Sequence, residues 1–199
     1  MGRYPFNPFD GAILVYRGAG TKQKLQRFHL AKFSTQPEAG GVDTIRAAQT
    51  LGAAAITATT GITQPDIARR LFVTKSEAAI AGFLVVTGTD IADNVIVENI
   101  ALATGTEKVS TKAFKTITSI VYPIKTDEAQ TVQVGTDDCI GLPTLISIDP
   151  ILKIRHNVTM ITAWTLYNSS SDIALNMVDP TGYTADGEWL EILLAVAHE

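Results

Sequence analysis

From about residue 50 onward the chain alternates. Leu190, Ile192, Leu194 and Val196 take every second position, as do Val132 and Val134. Val158, Met160, Thr162, Trp164 and Leu166 fall on one side of their segment, with Thr159 and Thr165 on the other. A period of two puts such side chains on one face of a pleated strand, whereas a helix needs a period of 3.6. Thr, Val, Ile and Ala dominate these stretches, and β-branched residues favour half-buried pleated surfaces. Phe83–Val86 is apolar at every position, which predicts a central strand buried on both faces. Turn signals recur at Thr60-Gly61, Thr87-Gly88, Thr104-Gly105, Gly135, Gly141-Leu142-Pro143, Asp149-Pro150, Asp179-Pro180 and Asp186-Gly187. That interval suits many short strands. The expected fold is mainly β: an antiparallel β-sandwich or barrel-like domain with an extended N-terminal arm.

Two segments have helical features. Thr63 could cap a single turn over residues 63–70, which reads as a loop or one turn of helix. Residues 42–52 are the other candidate, with Asp43 as cap and Ile45, Ala48 and Leu51 spaced along one side. At the N-terminus, Pro5 and Pro8 fix φ and push their neighbours toward extended backbone, so residues 1–10 read as an arm. Ala12–Tyr16 and Leu25–Leu30 could form a hairpin, and residues 34–43 read as a linker. The expected division is a basic N-terminal arm, hairpin and linker over 1–45 and a β-rich body over 46–199.

The 199 residues are 46% apolar, enough for a sizeable core, and only 18% charged. The usual charged share is about 25%. A low-charge surface is expected of a protein that lives inside an assembly. The net charge of −4 is unevenly spread. Residues 1–50 carry seven bases against three acids, and the remainder is −8. Such asymmetry suggests different partners for the two parts. The single Cys139 excludes an intrachain disulfide and fits synthesis in a reducing cytoplasm. The N-terminus has no continuous apolar run of the signal-peptide kind, and no stretch suits a membrane span.

Little points to catalysis. Gly18-Ala19-Gly20-Thr21-Lys22 lacks the spacing that lets backbone N–H groups wrap a phosphate, and reads as a glycine turn. His29, His156 and His198 do not pair at metal-ligand spacing. Cys139 follows Asp137 and Asp138, which oppose thiolate formation, so it reads as a buried inert thiol. Asp90 with Asp93, Asp172, and Asp179 with Asp186 fall in turns, where Asp bonds local backbone. No catalytic residue, metal site or cofactor is expected. The acidic body argues against nucleic acid. Trp164, Tyr167, Tyr183 and Trp189 are the candidate platforms for a carbohydrate-binding adhesin module, one alternative function.

A succession of motifs adds to this. Residues 60–74 read TGITQPDIARRLFVT, then come GFLVVTGTDI at 82–91, DNVIVENIAL at 93–102, VQVGTDDCIGLP at 132–143 and YTADGEWLEILLAVAH at 183–198. The order resembles virion structural proteins of tailed bacteriophages, of the head decoration or minor structural kind. Arg69, Asp90, Asn94, Glu98, Asp138 and Gly141 occupy the motif positions, and Arg69 could pair with Glu98. The resemblance covers about residues 55–198. It implies docking on a capsid or tail surface, without catalysis. The expected function is a capsid decoration (cement) protein of the virion, made in the host cytoplasm. It would bind the major capsid protein or another virion protein as a homo-oligomer, with a trimer favoured. The alternative is a tail, head–tail connector or fibre-base component. Arg3, Tyr4, Phe6, Phe9, Arg17, Lys22, Lys24 and Arg27 are the candidate anchor residues. Their aromatics suit a partner groove and their charge suits an acidic surface.

Overall fold

The computed structural model describes residues 13–14, 27–146 and 149–197. The chain is mainly β. The strands in order are β1 (Ile13–Leu14), β2 (Arg27–Thr35), β3 (Gly41–Thr50), β4 (Ile56–Ala58), β5 (Arg69–Lys75), β6 (Phe83–Thr89), β7 (Val95–Ala101) and β8 (Glu107–Phe114). They continue with β9 (Thr116–Tyr122), β10 (Thr131–Gly141), β11 (Ile151–His156), β12 (Thr159–Ile161), β13 (Trp164–Tyr167), β14 (Met177–Pro180) and β15 (Leu190–Ala197). A single 3₁₀ turn, Ile173–Leu175, is the only helical element among the described residues. Asp172 caps it by accepting from the Ala174 N–H.

Every strand pair among the described residues is antiparallel. The first sheet has the order β1-β2-β15-β11-β12, the second β13-β14-β10-β5-β8, and the third β4-β9-β6-β7. The eleven-residue β10 holds the second sheet together. Its first half runs between β3 and β5, and its last residues pair with β14. Alternation along β10 and β5 turns Val132, Val134, Leu71 and Val73 onto Leu84, Val86, Ile96 and Ile120 of the third sheet. The far end of β10 supplies Ile140, which packs with Val178 on Ile154, Leu190, Ile192 and Leu194 of the first sheet. One strand therefore feeds two cores. Each such side chain, fully buried, contributes about 1.5–3 kcal/mol.

The mainly β expectation holds, and the segment read at 63–70 is a loop as far as residue 68, where Arg69 then opens β5. Ile13 and Leu14 lie antiparallel to Phe28 and Arg27, in line with the hairpin. Several local readings are corrected. Residues 42–52 form no helix, since Gly41–Thr50 is β3. Its pairing with β10 slips twice, between Val132 and Val134 and between Val134 and Thr136. Extra residues in such bulges break strict alternation, so the apolar spacing imitates a helical stripe. Ile45 is buried while Ala48 is exposed.

Thr87-Gly88 and Gly135 are not turns. Both glycines lie inside strands, where another backbone comes too close for a side chain. The run 158–166 is not one strand either. β12 belongs to the first sheet and β13 to the second, and the chain passes between them at Thr162–Ala163. Val158 and Met160 are consequently exposed. β2 lies between β1 and β15, and the boundary read at residues 45/46 falls within β3.

Candidate functional site

The third sheet has one buried and one open face. Leu84, Val86, Ile96, Ile100, Ile117 and Ile120 turn inward. Cross-strand partners share a face, so the register fixes the open one. Its rows are Phe83 beside Ala101, then Thr57, Val121, Val85 and Asn99, then Ser119, Thr87 and Val97, then Thr116, Thr89 and Val95. None of these side chains is charged. A protein surface is about a quarter to a third charged, so about three charges are expected among this many positions. Phe83 is 57% exposed and Val95 75%. The open face of the first sheet differs sharply, because Lys32, Lys153, Arg155 and Glu191 meet there on neighbouring strands.

Charges surround the third sheet's face and pair with one another. Lys115 bonds Asp93 at 2.7 Å at one end, and Lys125 bonds Glu128 at 2.5 Å at the other. Along the β7 side, Glu98 turns away from the face. Its carboxylate accepts from Thr111 N–H at 2.5 Å, the Thr111 hydroxyl at 3.0 Å and Lys112 N–H at 3.1 Å. Glu98 thereby ties the outer strand of the third sheet to β8, the outer strand of the second. An inward charge and a covered edge block strand addition. What stays open on this sheet is its face. Of the other described edges, β4 and β12 have three residues each and β13 four, while the ten-residue β3 pairs only with β10.

A second constellation surrounds two adjacent arginines at the start of β5. Arg69 is 1% exposed. It donates to Asp137 O (2.9 Å) and Glu38 O (2.6 Å) and reaches Asp66 (3.3 Å) and Asp138 (3.4 Å). The expected partner Glu98 is replaced by these groups, since Glu98 serves the β8 backbone. Arg70 bonds Asp137 at 2.5 Å, Asp179 at 3.3 Å and the Tyr167 hydroxyl at 2.9 Å. Its guanidinium also stacks 5.2 Å from the Tyr167 ring centre. Burial lifts the Asp137 carboxyl above the ordinary range, against the pull of the Cys139 N–H and Arg70. Each carboxylate here is already matched, so the cluster joins loops 36–40 and 64–68 to β10 and β14.

The sequence candidates divide accordingly. Arg3, Tyr4, Phe6, Phe9, Arg17, Lys22 and Lys24 lie outside the described residues, as do Gly18–Gly20 and His198. Arg27 is described as the first residue of β2, paired with Leu14. His156 bonds Asp186 at 2.9 Å and meets the Tyr183 ring edge-on. Asp90 closes a local turn by accepting from Ala92 N–H, Asn94 N–H and the Asn94 amide. Of the four aromatic candidates, Tyr183 is buried, Trp164 packs into the second core, Tyr167 is engaged by Arg70, and Trp189 is 52% exposed. No group of three or more His, Cys, Asp or Glu able to hold a metal occurs among the described residues.

Cys139 is fully buried with Ala68, Ala113 and Met177, and burial pushes its thiol well above the usual range. Native protein at pH 8 is therefore expected to resist an aromatic disulfide reagent and to react fully in denaturant. Rapid labelling of the native chain would contradict this placement.

The uncharged face escaped sequence reasoning, although its signal was present. Phe83–Val86 is apolar on both sides because one side faces the core and the other forms this face. Compared with protein-family models, with curated proteins and with solved structures, the chain matches none.

Proposed function

We propose that this chain is a non-enzymatic structural protein of a tailed-bacteriophage virion, most specifically a capsid decoration protein that works by covering protein surfaces. The observation that carries the reading is the uncharged outer face of the third sheet. An exposed sheet normally keeps itself apart with charge, and a contiguous apolar and hydroxyl face ringed by paired charges has the anatomy of a protein interface. The order of motifs from residue 60 to 198 supplies the virion context. The +4 segment over residues 1–50, set against a −8 remainder, supports a second contact with an acidic capsid surface.

Copy number tests the reading. Particles grown from a phage genome that encodes this chain are purified and the chain is quantified against the major capsid protein. Hundreds of copies per particle are expected. A few to tens would move the protein to the tail, connector or fibre base. Its absence from purified particles would overturn the proposal.

A further inference from the structure

We propose that the open face of the third sheet packs against the same face of a second copy of this chain, about a two-fold axis. This deepens the assembly role above and rests on that reading only in taking the face to be covered by protein.

Charge selects the occupant. The face offers mainly Val and Thr, with Phe83, Ala101, Asn99 and Ser119, and no ion, so any charge on a partner would be buried without a counter-charge, at a cost of several kcal/mol per ion. The partner surface must therefore be equally free of charge. The open face of the first sheet fails, with Lys32, Lys153, Arg155 and Glu191 upon it. The recess beside β14 fails too, with Arg70, Asp137 and Asp179 at its wall. The face itself passes. Two twisted antiparallel sheets pack with strands about 30° apart and inner side chains interdigitated, and rows of Val and Thr with one Phe at the corner can mesh that way. The rim agrees, because Asp93–Lys115 and Lys125–Glu128 are neutralised within one copy. They stand where an interface keeps its hydrated polar margin.

Identical patches meet only through an isologous two-fold contact. A three-fold ring would press this face onto a different surface. The contact is therefore a dimer, including when it is built into a larger assembly.

Size sets the strength. The seven-residue β6, β7 and β9 with the three-residue β4 beside them, spaced about 4.8 Å apart and rising about 3.3 Å per residue, give a face of roughly 380 Å². That is about half of the roughly 800 Å² per partner of a standard specific interface. A contact this small suits weak association, strong enough only where many copies are held together.

The test uses the full-length purified chain in sedimentation equilibrium from about 1 to 200 µM, with no particles present. A monomer–dimer equilibrium is expected. Val97→Lys places one charge per copy in the contact, and its dissociation constant should rise at least a hundredfold with unchanged melting temperature. Val95→Lys, at the most exposed large apolar residue of the face, is the second variant and should behave alike. Lys153→Glu, on the first sheet, should leave the equilibrium unaltered. A wild-type chain that is monomeric throughout overturns the proposal, as does a folded Val95→Lys or Val97→Lys chain that dimerises normally. Since particle copy number is measured separately, a monomeric chain still present in hundreds per particle would sink this contact and leave the decoration role standing.

Discussion

Replacing Arg69 with methionine should lower the unfolding free energy by about 3 kcal/mol. Its guanidinium is 1% exposed and serves four partners: the carbonyls of Glu38 and Asp137 and the carboxylates of Asp66 and Asp138. Methionine keeps the volume and removes every donor. Breaking a buried ion pair from one side costs about 3–5 kcal/mol, because the remaining charge is stranded. The lower end applies, since Asp66 and Asp138 keep 22% and 30% of their side-chain exposure and can partly rehydrate. For a chain of this length that corresponds to a melting temperature lower by about 6–12 °C. Urea unfolding with an unchanged slope would measure it. A loss below about 1 kcal/mol would mean that the network contributes little. Arg69→Lys should rescue little, because one ammonium cannot reach four acceptors in a planar fork.

Gly135→Ala should be more damaging. A Cβ built on Gly135 lies 1.6 Å from the carbonyl oxygen of Gly41 and 2.7 Å from the carbonyl carbons of Gly41 and Val42. These are backbone atoms of β3, so no rotamer change can relieve the clash. β3 must separate from β10 at its bulge, and the packing of Ile45 on the first core goes with it. Overpacking by mobile side chains costs about 1–3 kcal/mol, and displacing a strand costs more. The expected result is a loss above about 3 kcal/mol, or a chain recovered only as aggregate. Gly182→Ala is the contrasting case. A Cβ there has nothing within 4 Å, and only its positive φ of 73° opposes the change. It should cost about 1 kcal/mol. Equal melting temperatures for the two variants would contradict the close approach.

The strand content was legible because alternation survives wherever a strand is regular. Leu190, Ile192 and Leu194 are buried as their period requires, and β5 and the first half of β10 behave likewise. Legibility failed where backbone geometry departed from the pleat. The bulges of β3 made a strand look helical, and Gly88 and Gly135 looked like turns because sequence alone does not say which backbone passes close by. The site was harder still. That Val85, Val97 and Val121 form one surface follows from cross-strand register, which is a long-range property. Arg69 was picked out by its motif, but its acceptors come from three other parts of the chain and share no local pattern.

The pairing of β2 with β15 dictates the order in which this chain can mature. Phe28 lies opposite Ala197 and Thr35 opposite Leu190, so the first sheet closes only after residues 190–197 have left the ribosome. The third sheet draws on residues 56–122 alone and can assemble much earlier. During synthesis β2 therefore waits with its hydrogen-bonding edge unmatched, and such late, distant closures are slow and prone to capture by neighbouring chains. Where many ribosomes make this polypeptide at once, the hazard is greatest between nascent copies, and slower translation or chaperone shelter of residues 27–35 would raise the yield of properly closed molecules.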